Sequence, residues 1–189
     1  MQQMAGTARD QILNTAGRLF FRSGYRAVGV DTIIAESGVA KATLYRYFAS
    51  KDELIAAYLE EMDHLFWAWF NGAAGTAGNP RDQMKAVFAA LEILTSSPAC
   101  YGCPFLIAAT EFPDAEHPGH QIAIRNKGSV RSRLRALSAE AGARDPELLG
   151  DQLLLLMDGA FMAVRLFGVP NTAERVGTMA ARAIDAACL

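Results

Sequence analysis

Within twenty positions near the N-terminal end, Thr32, Lys41, Thr43, Tyr45, Arg46, Tyr47 and Lys51 concentrate hydroxyls, ammonium groups and a guanidinium. Such a set suits a polyanion. Lys41, Arg46 and Lys51 can donate to phosphates or base edges. Thr43 offers a hydroxyl and a methyl group, and Tyr45 and Tyr47 can hydrogen-bond phosphates while their rings pack at the backbone. Ala40 and Ala42 are small enough for a helix to approach a groove closely. The same residues also fit the solvated face of any small helical protein, since exposed Lys, Arg and Tyr are common. A second constellation, Cys100-x2-Cys103 with His117-x2-His120, has ligand types and spacing near those of a structural zinc site. Pro104 and Pro118 flank its members in loops, so the preferred reading is unreactive thiols with no metal and no cofactor; a redox pair is the other alternative.

Catalytic signatures are missing. The chain has no G-x-S-x-G, phosphate loop, H-E-x-x-H or nucleotide fingerprint, and no spacing ties His64, His117 or His120 to an acid and a nucleophile. An enzyme is not expected. Charge supports the polyanion reading locally. Residues 1–50 carry six basic and three acidic side chains, the remainder twelve basic and seventeen acidic, within a net charge of −2. A small basic module on an acidic body can face phosphates with one part only.

The elements that must position these residues are helices. The chain has 189 residues, 51% of them hydrophobic, and Ala/Leu/Arg/Glu-rich stretches are punctuated by Gly and Pro, with strand signals almost absent. The spacing predicts helices over about 7–23, 30–37 and 41–48, with Gly38 making the turn between the second and third. Ser50 and Glu53 read as a capping box that opens a fourth, longer helix. Five more follow at about 81–95, 105–111, 119–141, 147–167 and 172–187, giving about nine. The fold class is all-α, with a three-helix module at 1–50 and a helical body at 51–189. Two short helices joined by a glycine turn behind a longer packing helix form a candidate helix-turn-helix. Thr32 is expected to cap or begin its first helix and aim its hydroxyl at a phosphate. Met1–Arg9 is polar with no apolar run after it, and Leu153–Leu166 contains Asp158 and Arg165. The expectation is a soluble cytoplasmic protein without a membrane partner.

Residues 9–59 resemble the N-terminal module of the TetR-type repressor family. The likeness runs through Ile12-Leu13-Asn14-Thr15-Ala16, Leu19-Phe20, Gly24-Tyr25, Ile33-Ile34-Ala35, the stretch Gly38 to Phe48, and Ser50-Lys51-Asp52-Glu53-Leu54. It implies that Ala35–Phe48 spans the turn and recognition helix, with Thr32, Lys41, Ala42, Thr43, Tyr45, Arg46, Tyr47 and Lys51 in the DNA-contacting places. Ala42 replaces the glycine most typical there and Ala40 a common serine, so one hydroxyl–phosphate contact is lost. The resemblance further implies a homodimer on double-stranded palindromic operator DNA, released when a small hydrophobic ligand moves the fourth helix. Gly102-Cys103-Pro104-Phe105 with Glu111-Phe112-Pro113 is similar to a segment in one subset of the family's regulatory domains.

In that body, Leu149, Leu153, Leu156, Ala160, Val164 and Phe167, then Val176, Met179, Ala183 and Ile184, form two apolar stripes that are read as the dimer interface. Closure of the monomer core is the alternative. Candidate pocket walls are Phe66, Trp67, Phe70, Phe88, Leu91, Phe105, Phe112, Met157, Phe161 and Met162, each of which reads by itself as plain core, with Glu111 and Asp158 as polar anchors or, alternatively, in capping or interhelical pairing. The rival to the whole reading is a helical ligand-binding or scaffold protein that does not read DNA.

Overall fold

A computed structural model describes residues 7–188, so most of the polar start and Leu189 lie outside the described residues. Nine α-helices and no strand occur among them. Helix α1 (Ala8–Ser23) opens on a capping box: Thr7 Oγ1 accepts the Asp10 amide and the Asp10 carboxylate accepts the Thr7 amide. Next come α2 (Val30–Ser37) and α3 (Lys41–Tyr47), joined through Gly38, whose φ of 69° is the left-handed conformation the turn needs. Ser50 Oγ accepts the Glu53 amide at the start of α4 (Lys51–Ala74). The Glu53 carboxylate reaches one residue farther out than a reciprocal box requires, to the Ala49 amide.

The remaining helices are α5 (Pro80–Thr95), α6 (Pro104–Glu111), α7 (Pro118–Glu140), α8 (Pro146–Phe167) and α9 (Val176–Ala187). Four of these five open on proline, one residue before the sequence-based starts. Proline lacks only an amide that a first turn leaves unpaired, and its fixed φ is already helical. The last predicted helix divides. Asn171 caps a single 3-10 turn over Thr172–Arg175 by accepting the Ala173 amide, and α9 begins after it.

The chain forms two compact units, and the division does not fall at residue 50. One unit takes the described residues up to Asp63 with Pro104–Ile124; the other takes His64–Cys103 with the residues from Arg125 onward. Helices α4 and α7 are thus each shared along their length. The first unit claims the start of α4 because Leu54, Ile55, Tyr58 and Leu59 are buried with Ile12, Ala16, Phe20 and Leu44. The Tyr58 ring lies 5.9 Å from Phe20 and 6.2 Å from Tyr25.

In the second unit, α5 packs chiefly on α9 and α8. Met84, Phe88, Leu91, Leu153, Met157, Ala180 and Ile184 are fully buried there. Polar ties surround this core: Arg81 and Lys85 both reach Asp185, and Glu92 accepts the Gly177 amide at 2.9 Å. Between α7 and α8, Arg131 and Arg135 each place a two-pronged guanidinium on Asp151 at 2.6–2.8 Å. These hydrogen bonds hold the Asp151 carboxyl far below its ordinary 3.8. Its stabilising contribution is therefore whole above 3.8 and is lost as pH falls from there toward the depressed folded value. The expected result is that Asp151→Asn lowers the melting temperature at neutral pH by an amount that shrinks on acidification to about pH 3. A deficit that stays constant across that range would show that the carboxylate's charge plays no part.

Candidate nucleic-acid interface

Helix α3 has one inward residue, Leu44; Phe48, just past its end, is buried too. Leu44 and Phe48 fix the helix against the core, leaving the rest of its circumference outward. Lys41, Ala42, Tyr45, Arg46 and Tyr47 are exposed and Thr43 is half-buried. Tyr45 shows 44% of its area and Tyr47 37%, so both phenols are open to a partner. The Arg46 guanidinium sits 5.0 Å from the Tyr47 ring centroid, which pre-orients it without consuming its donors. Lys41 pairs with Asp31 at 3.5 Å, and both side chains are largely solvated. That pair is weak and easily exchanged for a phosphate. Neither α2 nor α3 has a side-chain N-cap.

Helix α2 is locked to α1 rather than to solvent. Arg18 pairs with Glu36 at 2.6 Å, and the Gln11 side-chain amide donates to the Ser37 carbonyl at 2.7 Å. Gly29, not Thr32, is the N-cap of α2. Thr32 lies in the first turn and is exposed, so the capping expectation is corrected while its hydroxyl stays on the outer surface. Lys51 differs from the other basic residues. It is half-buried, and its ammonium donates to the Arg26 carbonyl at 3.4 Å. Burial pushes its pKa down, opposed by Asp52 and Glu111 and helped by Arg26.

The pocket candidates divide between the units. In the second, Phe66, Trp67 and Phe70 form an aromatic cluster with centroids 5.5–6.0 Å apart. Phe70, Phe88, Leu91, Met157 and Phe161 are buried in its core, whereas Met162 is turned outward. Asp158 pairs with Lys127 at 2.5 Å. Burial opposes the Lys127 ammonium, but the Cys103 sulfur and Asp158 outweigh it and raise its pKa. In the first unit Phe105 and Phe112 are buried. Glu111, expected as a ligand anchor, instead spends its carboxylate on backbone amides of Tyr25 and Arg26. That pairing joins residues 85 and 86 positions apart, and no local pattern signals it.

The interface stripes also need correction. Leu149, Leu153, Ala160, Val164, Val176 and Ile184 are buried within the chain itself, and Leu156 and Ala183 are half-buried. Phe167 and Met179 alone of that set are exposed. The outward apolar face of α8 consists of Leu148, Leu155, Met162 and Leu166, at seven- and four-residue spacing. Beside it an open groove of about 630 Å³ is lined by Leu155, Leu156, Ala183, Ala186 and Ala187 with Arg144 and Gln152.

The cysteines and histidines do not assemble as ligands. His117 Nδ1 accepts the Gly119 amide, its ring stacks on Phe112 at 3.9 Å, and its Nε2 lies 3.5 Å from Asp52. His120 Nδ1 lies 2.6 Å from the Phe112 carbonyl. Among the described residues no group of three or more His, Cys, Asp or Glu side chains could hold a metal ion, and no disulfide joins Cys100, Cys103 or Cys188. Burial pushes the Cys100 thiol up. No helix among the described residues is long and apolar enough to cross a membrane.

Comparison with known proteins converges on one family. Residues 12–58 match the model of bacterial regulatory proteins of the tetR family. The HTH-type transcriptional regulator YxaF of Bacillus subtilis, itself uncharacterised, is 45% identical over 51 residues, 27% of each chain. The chain spans between about a quarter and a half of the length of the first curated relatives it matches. Solved structures extend the likeness over nearly the whole chain. SCO4454, a TetR-family transcriptional regulator from Streptomyces coelicolor, is 35% identical with a TM-score of 0.86, over 95% of this chain and 93% of that one. The tetR-type regulator sav143 of Streptomyces avermitilis is 31% identical with a TM-score of 0.85, over 96% and 98%.

Proposed function

Because this chain belongs to the TetR family of DNA-binding transcriptional regulators, which are not enzymes, we propose that it is a homodimeric repressor of a palindromic operator. Each copy sets α3 in the major groove of one half-site, and the two half-sites lie one helical turn, or a multiple of it, apart. Lys41, Thr43, Tyr45, Arg46 and Tyr47 carry the contacts, with Thr32 and Ala42 alongside. Lys51 adds a backbone contact only by leaving the Arg26 carbonyl.

The observation that carries this reading is the composition of α3: one buried residue inside the helix and an outer surface of basic, hydroxyl and phenolic groups held on a rigid core. A small hydrophobic ligand, lodged among the aromatic and methionine side chains of the second unit, favours a conformation in which the two heads no longer match the operator. Repression is the sense of control, since a dimer seated across two half-sites covers the duplex against other proteins. The outward α8 face, apolar at Leu148, Leu155, Met162 and Leu166, and the groove beside it supply the contact between copies.

The test is selection of genomic fragments by the purified protein at about 0.15 M salt, where nonspecific phosphate binding is partly screened. A single enriched palindrome is expected. Folded protein that enriches no site, with or without cell extract, would leave a helical ligand-binding or scaffold role instead.

A further inference from the structure

The loop that leaves α1 is gripped from α6 by groups that take no part in the reading surface. At Gly24 the chain turns out of the helix with φ 87° and ψ 165°, and the Gly24 amide reaches back to the Phe20 carbonyl. The next two amides, of Tyr25 and Arg26, converge on the Glu111 carboxylate at 3.2 and 2.7 Å, one on each oxygen. Successive backbone amides arranged in this way form a concavity for an anion, and here the anion is internal. The fit is close: a Cβ on Gly24 would lie 2.3 Å from a Glu111 oxygen.

Other contacts bind the same loop. At the opposite end of α6, the Tyr25 hydroxyl donates to the Pro104 carbonyl at 2.9 Å. Phe112, following α6, lies 5.8 Å from the Tyr25 ring and 5.6 Å from the Arg26 guanidinium. Lys51 holds the Arg26 carbonyl from α4. Only residues 27–29 separate this grip from α2, and Val28 among them is buried.

We propose that Glu111 is a positioning residue of the DNA-reading head, through which α6 sets the orientation of α2 and α3. This rests on the operator-binding role proposed above. The Tyr25 residue is buried, so its amide loses Glu111 only at the cost of an unsatisfied donor or a rearranged loop. A partly withdrawn Glu111 leaves that buried donor unpaired, so intermediate positions of α6 are disfavoured. The chain enters α6 directly from the second unit at Cys103–Pro104.

The experiment compares wild type, Glu111→Ala and Glu111→Gln as full-length protein. Affinity for the selected operator duplex is measured across a salt series, and amide hydrogen exchange is followed at Tyr25 and Arg26. Glu111→Ala should speed exchange at both amides and weaken operator binding by roughly ten- to a hundredfold. Glu111→Gln, which keeps the shape but replaces one acceptor by a donor, should fall between and carries the comparison if the alanine variant does not fold. Faster exchange with operator affinity within about twofold of wild type overturns the proposal. A wild-type chain that binds no operator fails the preceding reading instead, is recognised before any variant is compared, and takes this inference with it.

Discussion

Replacing Lys41 and Tyr45 together by alanine should weaken operator binding by roughly a hundredfold or more while leaving helix content, mass and melting temperature near those of wild type. The size of the effect comes from duplication. Each copy loses a cationic and a phenolic donor, and a palindrome is held by two copies, so four contacts disappear from one complex. The absence of a folding penalty comes from exposure. Lys41 pairs with a solvated Asp31, and Tyr45 exposes 44% of its area. The salt slope adds an independent check, since each lost phosphate contact should flatten it by about 1. Loss of binding accompanied by unfolding would place these side chains in the architecture of α3. Unchanged affinity with intact fold would remove α3 from the interface.

This part of the molecule was the most legible in the sequence because it is local. Leu44 and Phe48 are one helical turn apart, so the inward face of α3, and hence its outward residues, follows from spacing within eight positions. The helix starts were legible to within one residue except the last, where the 3-10 turn at Thr172–Arg175 delays α9 to Val176. Where they missed, at Pro80, Pro104, Pro118 and Pro146, the proline that looked like a boundary was the first helical residue. What could not be read is long-range. Glu111 and the Tyr25 amide are 86 positions apart, and nothing near either residue announces the other. Lys51 looks like any exposed cation in sequence, yet the fold places the Arg26 carbonyl in front of it.

Helix α8 presents a different difficulty. It runs through Leu148, Leu149, Leu153, Leu154, Leu155 and Leu156, apolar nearly all the way round. A helix of that kind has no single amphipathic stripe, so periodicity cannot say which leucines face their own subunit. Packing against α5 and α9 settles it: Leu149, Leu153, Met157, Ala160 and Val164 turn inward, and Leu148, Leu155, Met162 and Leu166 turn outward.

That assignment makes the second large prediction. Leu155 and Leu166 expose 72% and 75% of their area and lie eleven residues apart on one face of α8, so both would be buried together in a two-fold pair of helices. Leu155→Glu with Leu166→Glu should convert a stable dimer into monomer, raising the dimer dissociation constant by about three orders of magnitude or more. The estimate follows from symmetry: every substitution acts twice, each removes a buried leucine worth about 1.5–3 kcal/mol, and each brings a carboxylate into an apolar contact. Leu153→Ala, from the inward face of the same helix, supplies the contrast. It should lower the melting temperature, at a cost of about 2–5 kcal/mol, without an equivalent change in association of the folded protein. Sedimentation velocity and thermal melts on the two variants separate the faces directly. Operator binding should fall with dimerisation in the glutamate variant, because each head alone is a weak contact and the second loses its high effective concentration. If that variant sediments as a dimer, the outward α8 face is not what joins two copies, and the operator must be held by heads brought together through another surface.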